Sequence, residues 1–151
     1  MIPAFPDTSF FCALYHVQVN HERAVAYMSA AAAPLPMSGF LRYEFTNGVR
    51  FEVFRHRSDH TRGYAEPEAL RMLADFDLDV ERGVFVPMEP ECGDVLRRAT
   101  ALSEKHTIRE GRRAFDILHV ATALSLGARE FLTFDAGQRK LAEAEGLIVP
   151  L

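Results

Sequence analysis

Asp7, Glu44, Asp116 and Asp135 are the residues of this 151-residue chain best placed to do chemistry. They are acids far apart in sequence, and three of them fall where an apolar run gives way to a helix-forming one. Carboxylates that share a site cannot all stay ionised without a counter-charge. A divalent cation supplies one, and an all-oxygen donor set suits magnesium or manganese better than zinc. Such an ion acidifies a water and stabilises charge on phosphate oxygens, which is the chemistry of phosphodiester hydrolysis.

Each acid also has an ordinary structural use. Asp135 is followed three residues later by Gln138, the spacing of a capping box. Asp7 can cap the helix that Thr8 and Ser9 begin. Glu44 on its own reads as a solvated helix charge. Asp116 is hardest to explain that way. It lies among Phe115, Ile117, Leu118, Val120 and Ala121, where a charge is costly to bury unless paired. Arg112, four residues earlier, is the local candidate partner, in the weaker orientation.

The elements that must gather these acids alternate along the chain. Residues 2–6 form a short apolar stretch ending at Asp7, and a helix is expected over 8–15. A second helix is expected over 21–33, a short strand over 35–37, and a long helix from 39 to about 55 with Ser38 as its N-cap. Residues 66–81 put Leu70, Leu73, Phe76 and Val80 on one helical face, with Pro67 in the first turn. A strand over 84–87 follows, then a helix from Pro90 to about Lys105, a polar loop over 106–112, and an apolar helix over 113–126 ended by Gly127. The chain closes with a strand over 130–134, a helix over 136–145 and a last strand over 147–151. Pro6 and Pro36 fit their strands poorly, because a proline removes a ladder donor.

Alternation of this kind implies an α/β chain, a central parallel sheet flanked by helices in three layers, in a single domain spanning 1–151. In such sheets ligands bind beyond the carboxyl ends of the strands. Asp7 and Asp135 close strands, Asp116 falls in the first turn of its helix and Glu44 about one and a half turns into its own, so a common rim is expected to gather them.

Composition narrows the class. Apolar residues make up 48% and charged residues 25%, an ordinary globular balance. No apolar run approaches a membrane span, the start does not read as a signal peptide, and Cys12 and Cys92 form no Cys-x-x-Cys pair, so a cytoplasmic protein is expected. A net charge of −4 counts against broad, non-specific nucleic-acid binding. The cations are nonetheless almost all arginine, 15 of 17, which suits bidentate phosphate contacts. Arg109, Arg112 and Arg113 lie near Asp116 in sequence, and Arg55, Arg57 and Arg62 follow the glutamate helix. Both groups are candidate phosphate contacts, with solvated loops as the plain alternative. His119 lies one turn from Asp116, where it can serve as an acid–base group or a hydrogen-bond partner, but it reads first as a packed histidine. His56 and His60 are spaced as a metal pair but have no third ligand nearby.

The four acids also sit in recognisable surroundings. The segment Pro6-Asp7-Thr8-Ser9-Phe10 resembles the opening of PIN domains, where an aspartate after the first strand precedes small hydroxyl residues. Arg42-Tyr43-Glu44-Phe45-Thr46-Asn47 resembles that family's glutamate helix. Asp116-Ile117-Leu118-His119-Val120-Ala121-Thr122-Ala123 is similar to its third-acid helix, and Leu132-Thr133-Phe134-Asp135 to its closing motif. The resemblance spans essentially the whole chain, in order, and points to the VapC-like toxins of toxin–antitoxin pairs. It implies a magnesium- or manganese-dependent endoribonuclease. Asp7 and Asp116 would be the principal metal ligands, and Glu44 and Asp135 would complete the site directly or through water. Ser9, Asn47 and Thr133 would orient the carboxylates by hydrogen bonds. It further implies an RNA substrate, an antitoxin partner and a homodimer, with helices 21–33 and 39–55 as candidate contributors. Pro6 before the first aspartate and the long stretch 58–83 depart from a minimal member.

Other readings fit less well. A phosphorelay receiver needs paired acids after the first strand and a late lysine, yet Thr8 and Ser9 follow Asp7 and the only lysines are Lys105 and Lys140. A haloacid-dehalogenase-type phosphatase needs an aspartate where Ser9 stands. The remaining alternative is a PIN fold without catalysis, acting as an RNA-binding or interaction module.

Overall fold

The computed structural model describes residues 2–151. Its elements are β1 (Ile2–Pro6), α1 (Thr8–Tyr15), α2 (His21–Ala30), β2 (Leu35–Met37), α3 (Gly39–Ser58), α4 (Glu66–Glu81), β3 (Phe85–Pro87), α5 (Cys92–Glu110), α6 (Ala114–Ser125), β4 (Ala128–Leu132) and α7 (Ala136–Ala144). The α/β architecture expected from the sequence is present, and every described strand pairing is parallel. The strands form two ladders, β1 with β4 and β2 with β3, rather than one continuous sheet. Pro3, Pro6 and Pro36 lack an N–H, which thins the donors along the seam between β1 and β2.

Fully buried aromatics hold the layers together. The Phe11 ring of α1 lies 5.4 Å from Phe45 of α3, 5.6 Å from Phe76 of α4 and 4.7 Å from Phe85 of β3. Contacts of this kind add about 0.5–1.5 kcal/mol each beyond the area they bury. Their positions matter for function. Phe11 is four residues after Asp7 and Phe45 is next to Glu44, so packing α1 on α3 carries the two acids together.

Several expected boundaries differ, each for a local reason. The helix 21–33 stops at Ala30 because Pro34 disfavours helical backbone just before it. The helix 39–55 runs on to Ser58, with Arg55, His56 and Arg57 in its last turn, where cations suit the helix dipole. The expected loop 106–112 is mostly helix. The α5 helix starts at Cys92, capped by Glu91, and continues to Glu110, where Gly111 takes a left-handed φ of 65° and ends it. The strand 130–134 lies two residues earlier, over Ala128–Leu132. The last strand, 147–151, reduces to a single parallel bridge between Ile148 and Glu130, after Gly146 turns the chain at φ 86°.

Candidate active site

Asp7 ends β1 and caps α1, its Oδ1 accepting from Phe10 N–H at 3.1 Å. The backbone N–H of Asp7 donates to Leu132 O at 3.0 Å, which fixes the ends of β1 and β4 side by side. Ser9 Oγ donates to Asp7 Oδ1 at 2.6 Å, and Thr133 Oγ1 donates to Asp7 Oδ2 at 2.6 Å. The side chain is 2% exposed and rigidly held, yet a carboxylate offers about four acceptor positions and three are taken. One direction on Oδ2 stays free.

The other three acids come from separate elements. Asp116 lies in the first turn of α6 and receives Gln138 Nε2 at a long 3.4 Å. Asp135 caps α7, accepting from Gln138 N–H at 2.7 Å, as the capping-box spacing predicts. Glu44 projects from α3, where Thr8 Oγ1 donates to its Oε2 and His119 Nε2 meets the same oxygen at 2.5 Å. A single cleft of about 120 Å³ is lined by all four acids together with Thr8, Ser9, His119 and Gln138.

Electrostatics separates these acids. Burial pushes the Asp7 carboxyl up to about 6, although its hydrogen bonds from Ser9, Thr133 and Phe10 pull the other way. Burial also raises Asp116, and the negative Asp135 and Glu44 raise it further. For Glu44 burial raises as well, but the hydrogen bonds from His119 and Thr8 prevail and hold it below the usual glutamate value.

Of the residues singled out from sequence, Ser9 and Thr133 do orient a carboxylate, that of Asp7. Asn47 does not. It is exposed on α3, and no side-chain hydrogen bond from it to the four acids exists among the described residues. Spacing explains this. Asn47 is three residues, nearly a turn, from Glu44, and the positions that Glu44 needed are filled from α1 and α6 instead. Arg112 is also not a free phosphate contact. Its side chain is 10% exposed, it pairs with Glu110, and it donates to Gly137 O at 2.5 Å. Arg55, Arg57 and Arg62 are tied to Glu52, Glu66 and Asp59. Arg109 and Arg113 are exposed and form no ion pair among the described residues.

Thr8, His119 and Gln138 lie in the cleft with more direct roles than their sequence positions suggested. Thr8 follows Asp7, His119 is three residues after Asp116, and Gln138 is three after Asp135. A place next to an acid, for Thr8, or one turn beyond one, for His119 and Gln138, was the signal available. The His119 side chain is 1% exposed and spans from the core to Glu44, a use that an apolar helix conceals.

The donor set fits a hard divalent cation. It consists of carboxylate oxygens, and the Oε1 of Gln138 is a further oxygen that is buried without a hydrogen-bond partner. Among the described residues no three His, Cys, Asp or Glu side chains close around a common point tightly enough to cage an ion. An open acid-lined cleft suits magnesium, which keeps several waters and takes few protein ligands.

A PIN domain family model matches residues 4–144. No curated protein matches significantly by sequence. Among solved structures, VapC20 of Mycobacterium tuberculosis, a toxin that cleaves the sarcin–ricin loop, superposes with a TM-score of 0.66 at 20% identity, covering 96% of each chain. VapBC2 of Rickettsia felis, bound to a DNA fragment from its promoter, gives 0.63 at 11% identity over 98% of this chain and 97% of that one. FitAcB of Neisseria gonorrhoeae gives 0.60 at 17% identity over 97% and 95%. These structures share the fold. The family match covers nearly the whole sequence, and the chain belongs to the PIN domain family.

Proposed function

We propose that this PIN-domain chain is a magnesium- or manganese-dependent endoribonuclease and the toxin of a toxin–antitoxin pair. One observation carries the reading. Four acids from four separate stretches line one cleft, and two of them, Asp7 and Asp116, are raised from their ordinary value by burial. The positive groups near them, His119 and Arg113, do not offset that burial, and a bound cation would.

Asp7 and Asp116 would be the principal ligands, with Asp135 and Glu44 completing the site. A bound divalent cation would supply the positive charge that acidifies water and stabilises the phosphate oxygens during hydrolysis. The protein's own part is positional. Ser9, Thr133 and the Phe10 N–H immobilise Asp7 with one acceptor direction open. Thr8 and His119 both hold Glu44 by Oε2, and no hydrogen bond among the described residues takes Oε1. Asp135 spends one oxygen on its helix cap. A cleft carboxylate oxygen that the ion does not take would accept the proton of the attacking water. An antitoxin is the expected protein partner, by analogy with the VapBC complex of Rickettsia felis, and a second copy of the chain is proposed beside it.

The test is RNA cleavage by the purified protein in chelator and in magnesium or manganese. Cleavage should require the ion and vanish in Asp7→Asn and Asp116→Asn proteins that remain folded. Wild-type rates in both variants would defeat the reading. RNA binding that persists in chelator, with no cleavage under any condition, would favour the non-catalytic module.

A further inference from the structure

Three rings lead from solvent to the cleft. Tyr43 on α3 is 61% exposed. Its ring lies 6.4 Å from that of half-buried Phe115 on α6, with planes 33° apart. Phe115 lies in turn 6.1 Å from buried His119, which holds Glu44. Tyr43 is the residue before Glu44, and Phe115 the residue before Asp116. An aromatic pair therefore joins α3 and α6 beside the place where two of the cleft acids leave those helices.

Core packing accounts for Phe115 but not for Tyr43, most of whose ring faces water and whose hydroxyl has no hydrogen-bond partner among the described residues. Arg113, which caps α6 two residues before Phe115, is exposed and free of ion pairs among the described residues. Another exposed aromatic pair, Phe51 and Phe54, stacks at 5.8 Å further along α3. It has no cleft acid as a sequence neighbour, and it adjoins a groove lined by Leu70, Leu73 and the Arg57–Glu66 pair. Arg50 lines the groove beside the second pair, but only the first pair combines an open aromatic face and an arginine outside any ion pair with proximity to the acids.

Those are the components of a single-strand subsite. A flat ring accepts an unstacked base, a guanidinium takes the adjoining phosphate, and the arrangement tolerates any base because every base has a π-face. A duplex, whose bases are already stacked, has no face to offer. We infer that Tyr43, backed by Phe115, is a base-stacking platform at the mouth of the cleft, with Arg113 holding a neighbouring phosphate. The inference rests on the ribonuclease reading for the identity of the strand, but its test does not depend on cleavage.

The experiment measures binding of a short fluorescent single-stranded RNA to full-length Asp7→Asn protein in magnesium, so that turnover does not intervene. Tyr43→Leu should weaken binding about tenfold, the size of one base–aromatic stack, while Tyr43→Phe stays close to the parent. An abasic site scanned along the RNA should weaken binding by a similar factor at one position, and that sensitivity should disappear in Tyr43→Leu. Phe51→Leu, remote from the acids in sequence, should leave binding unchanged. Equal loss in the Phe and Leu variants, a flat abasic scan, or loss only toward a protein partner overturns the platform. Ring-dependent binding with no cleavage by wild-type protein removes the nuclease reading and keeps the platform. Metal-dependent cleavage with a flat scan does the opposite.

Discussion

Acids gather in two places in this molecule, and the two gatherings are built oppositely. Where α5 approaches α7, Glu145 accepts from Lys105 Nζ and from His106 Nε2, each at 2.7 Å. Glu110 pairs with Arg112 and lies 3.5 Å from His106 Nδ1. Burial alone would raise Glu145, but those hydrogen bonds hold it below its ordinary value, and the Arg112 hydrogen bond lowers Glu110. In the cleft, burial wins for Asp7 and Asp116. An acid that serves structure arrives with its own cation. Around the cleft acids stand hydroxyls, an amide, one histidine and, near Asp116, the Arg113 charge, which together do not offset burial for Asp7 and Asp116. Glu44 is intermediate, the one cleft acid with an internal partner that lowers it.

The largest consequence separates the two clusters by function. Asp7→Asn or Asp116→Asn should cut RNA cleavage by about three orders of magnitude or more, as expected when several kcal/mol of charge stabilisation is lost. Both should also abolish the thermal stabilisation that magnesium or manganese gives wild-type protein, about 2.7 kcal/mol at a hundredfold excess over the dissociation constant. Glu145→Ala should do neither. It should instead lower stability by about 1–3 kcal/mol by leaving the buried His106 donor without its partner, read as a lower denaturant midpoint. Cleavage lost in the Glu145 variant but kept in the Asp7 variant would reverse the assignment of the two clusters.

The same division governs what could be read before any fold was known. Asp7 and Asp135 were visible because strand-end position and capping spacing are local signals, and Asp116 because an acid stands out in an apolar helix; the structure puts all three in one cleft. The helix 66–81 and the apolar helix around Asp116 were equally plain, since periodicity is local too. Partners supplied across the fold were not. Thr8 and His119 reach Glu44 from 36 and 75 residues away, and nothing in the spacing of α3 distinguishes that arrangement from one using Asn47. The structural cluster was hidden for the same reason. His106 to Glu110 reads as a polar loop until Glu145, 39 residues on, pairs with His106, and Arg112 reads as a free cation until Gly137 takes it up.

A smaller effect tests the one acid that crosses the divide. If His119 works by holding Glu44, then His119→Gln, which keeps a donor near the position of Nε2, should retain most activity and manganese affinity. His119→Leu should lose about 10–100-fold in both, the usual cost of removing a group that orients a ligand. Simple packing predicts the reverse order, because leucine fills the buried space better than a polar amide does. A Glu44→Gln background sharpens this. There His119→Leu should add little, since residues acting through one another are non-additive. Full additivity would separate His119 from Glu44.

The smallest effect is in the pH dependence of the metal-free fold, where the clusters pull in opposite directions. Asp7 has its carboxyl raised from 3.8 to about 6, so the folded state holds that proton more tightly than the unfolded state does. Its stabilising contribution is complete below the ordinary value and is lost as pH rises through about 6. Glu145 is lowered, so its contribution is present above the ordinary glutamate value and is lost as pH falls through the lowered one. In chelator, wild-type protein should therefore lose a few degrees of Tm between about pH 5 and pH 7 relative to Asp7→Asn, which has no proton to release there. Saturating magnesium should remove or invert that difference, because the ion binds the ionised acids and binding strengthens as they deprotonate. The Glu145 variant should keep the neutral-side loss and blunt only the acid-side one. Parallel pH profiles for wild-type and Asp7→Asn protein in chelator would mean that the buried acid is already compensated within the fold, and the contrast between the two clusters would then fail at its first member.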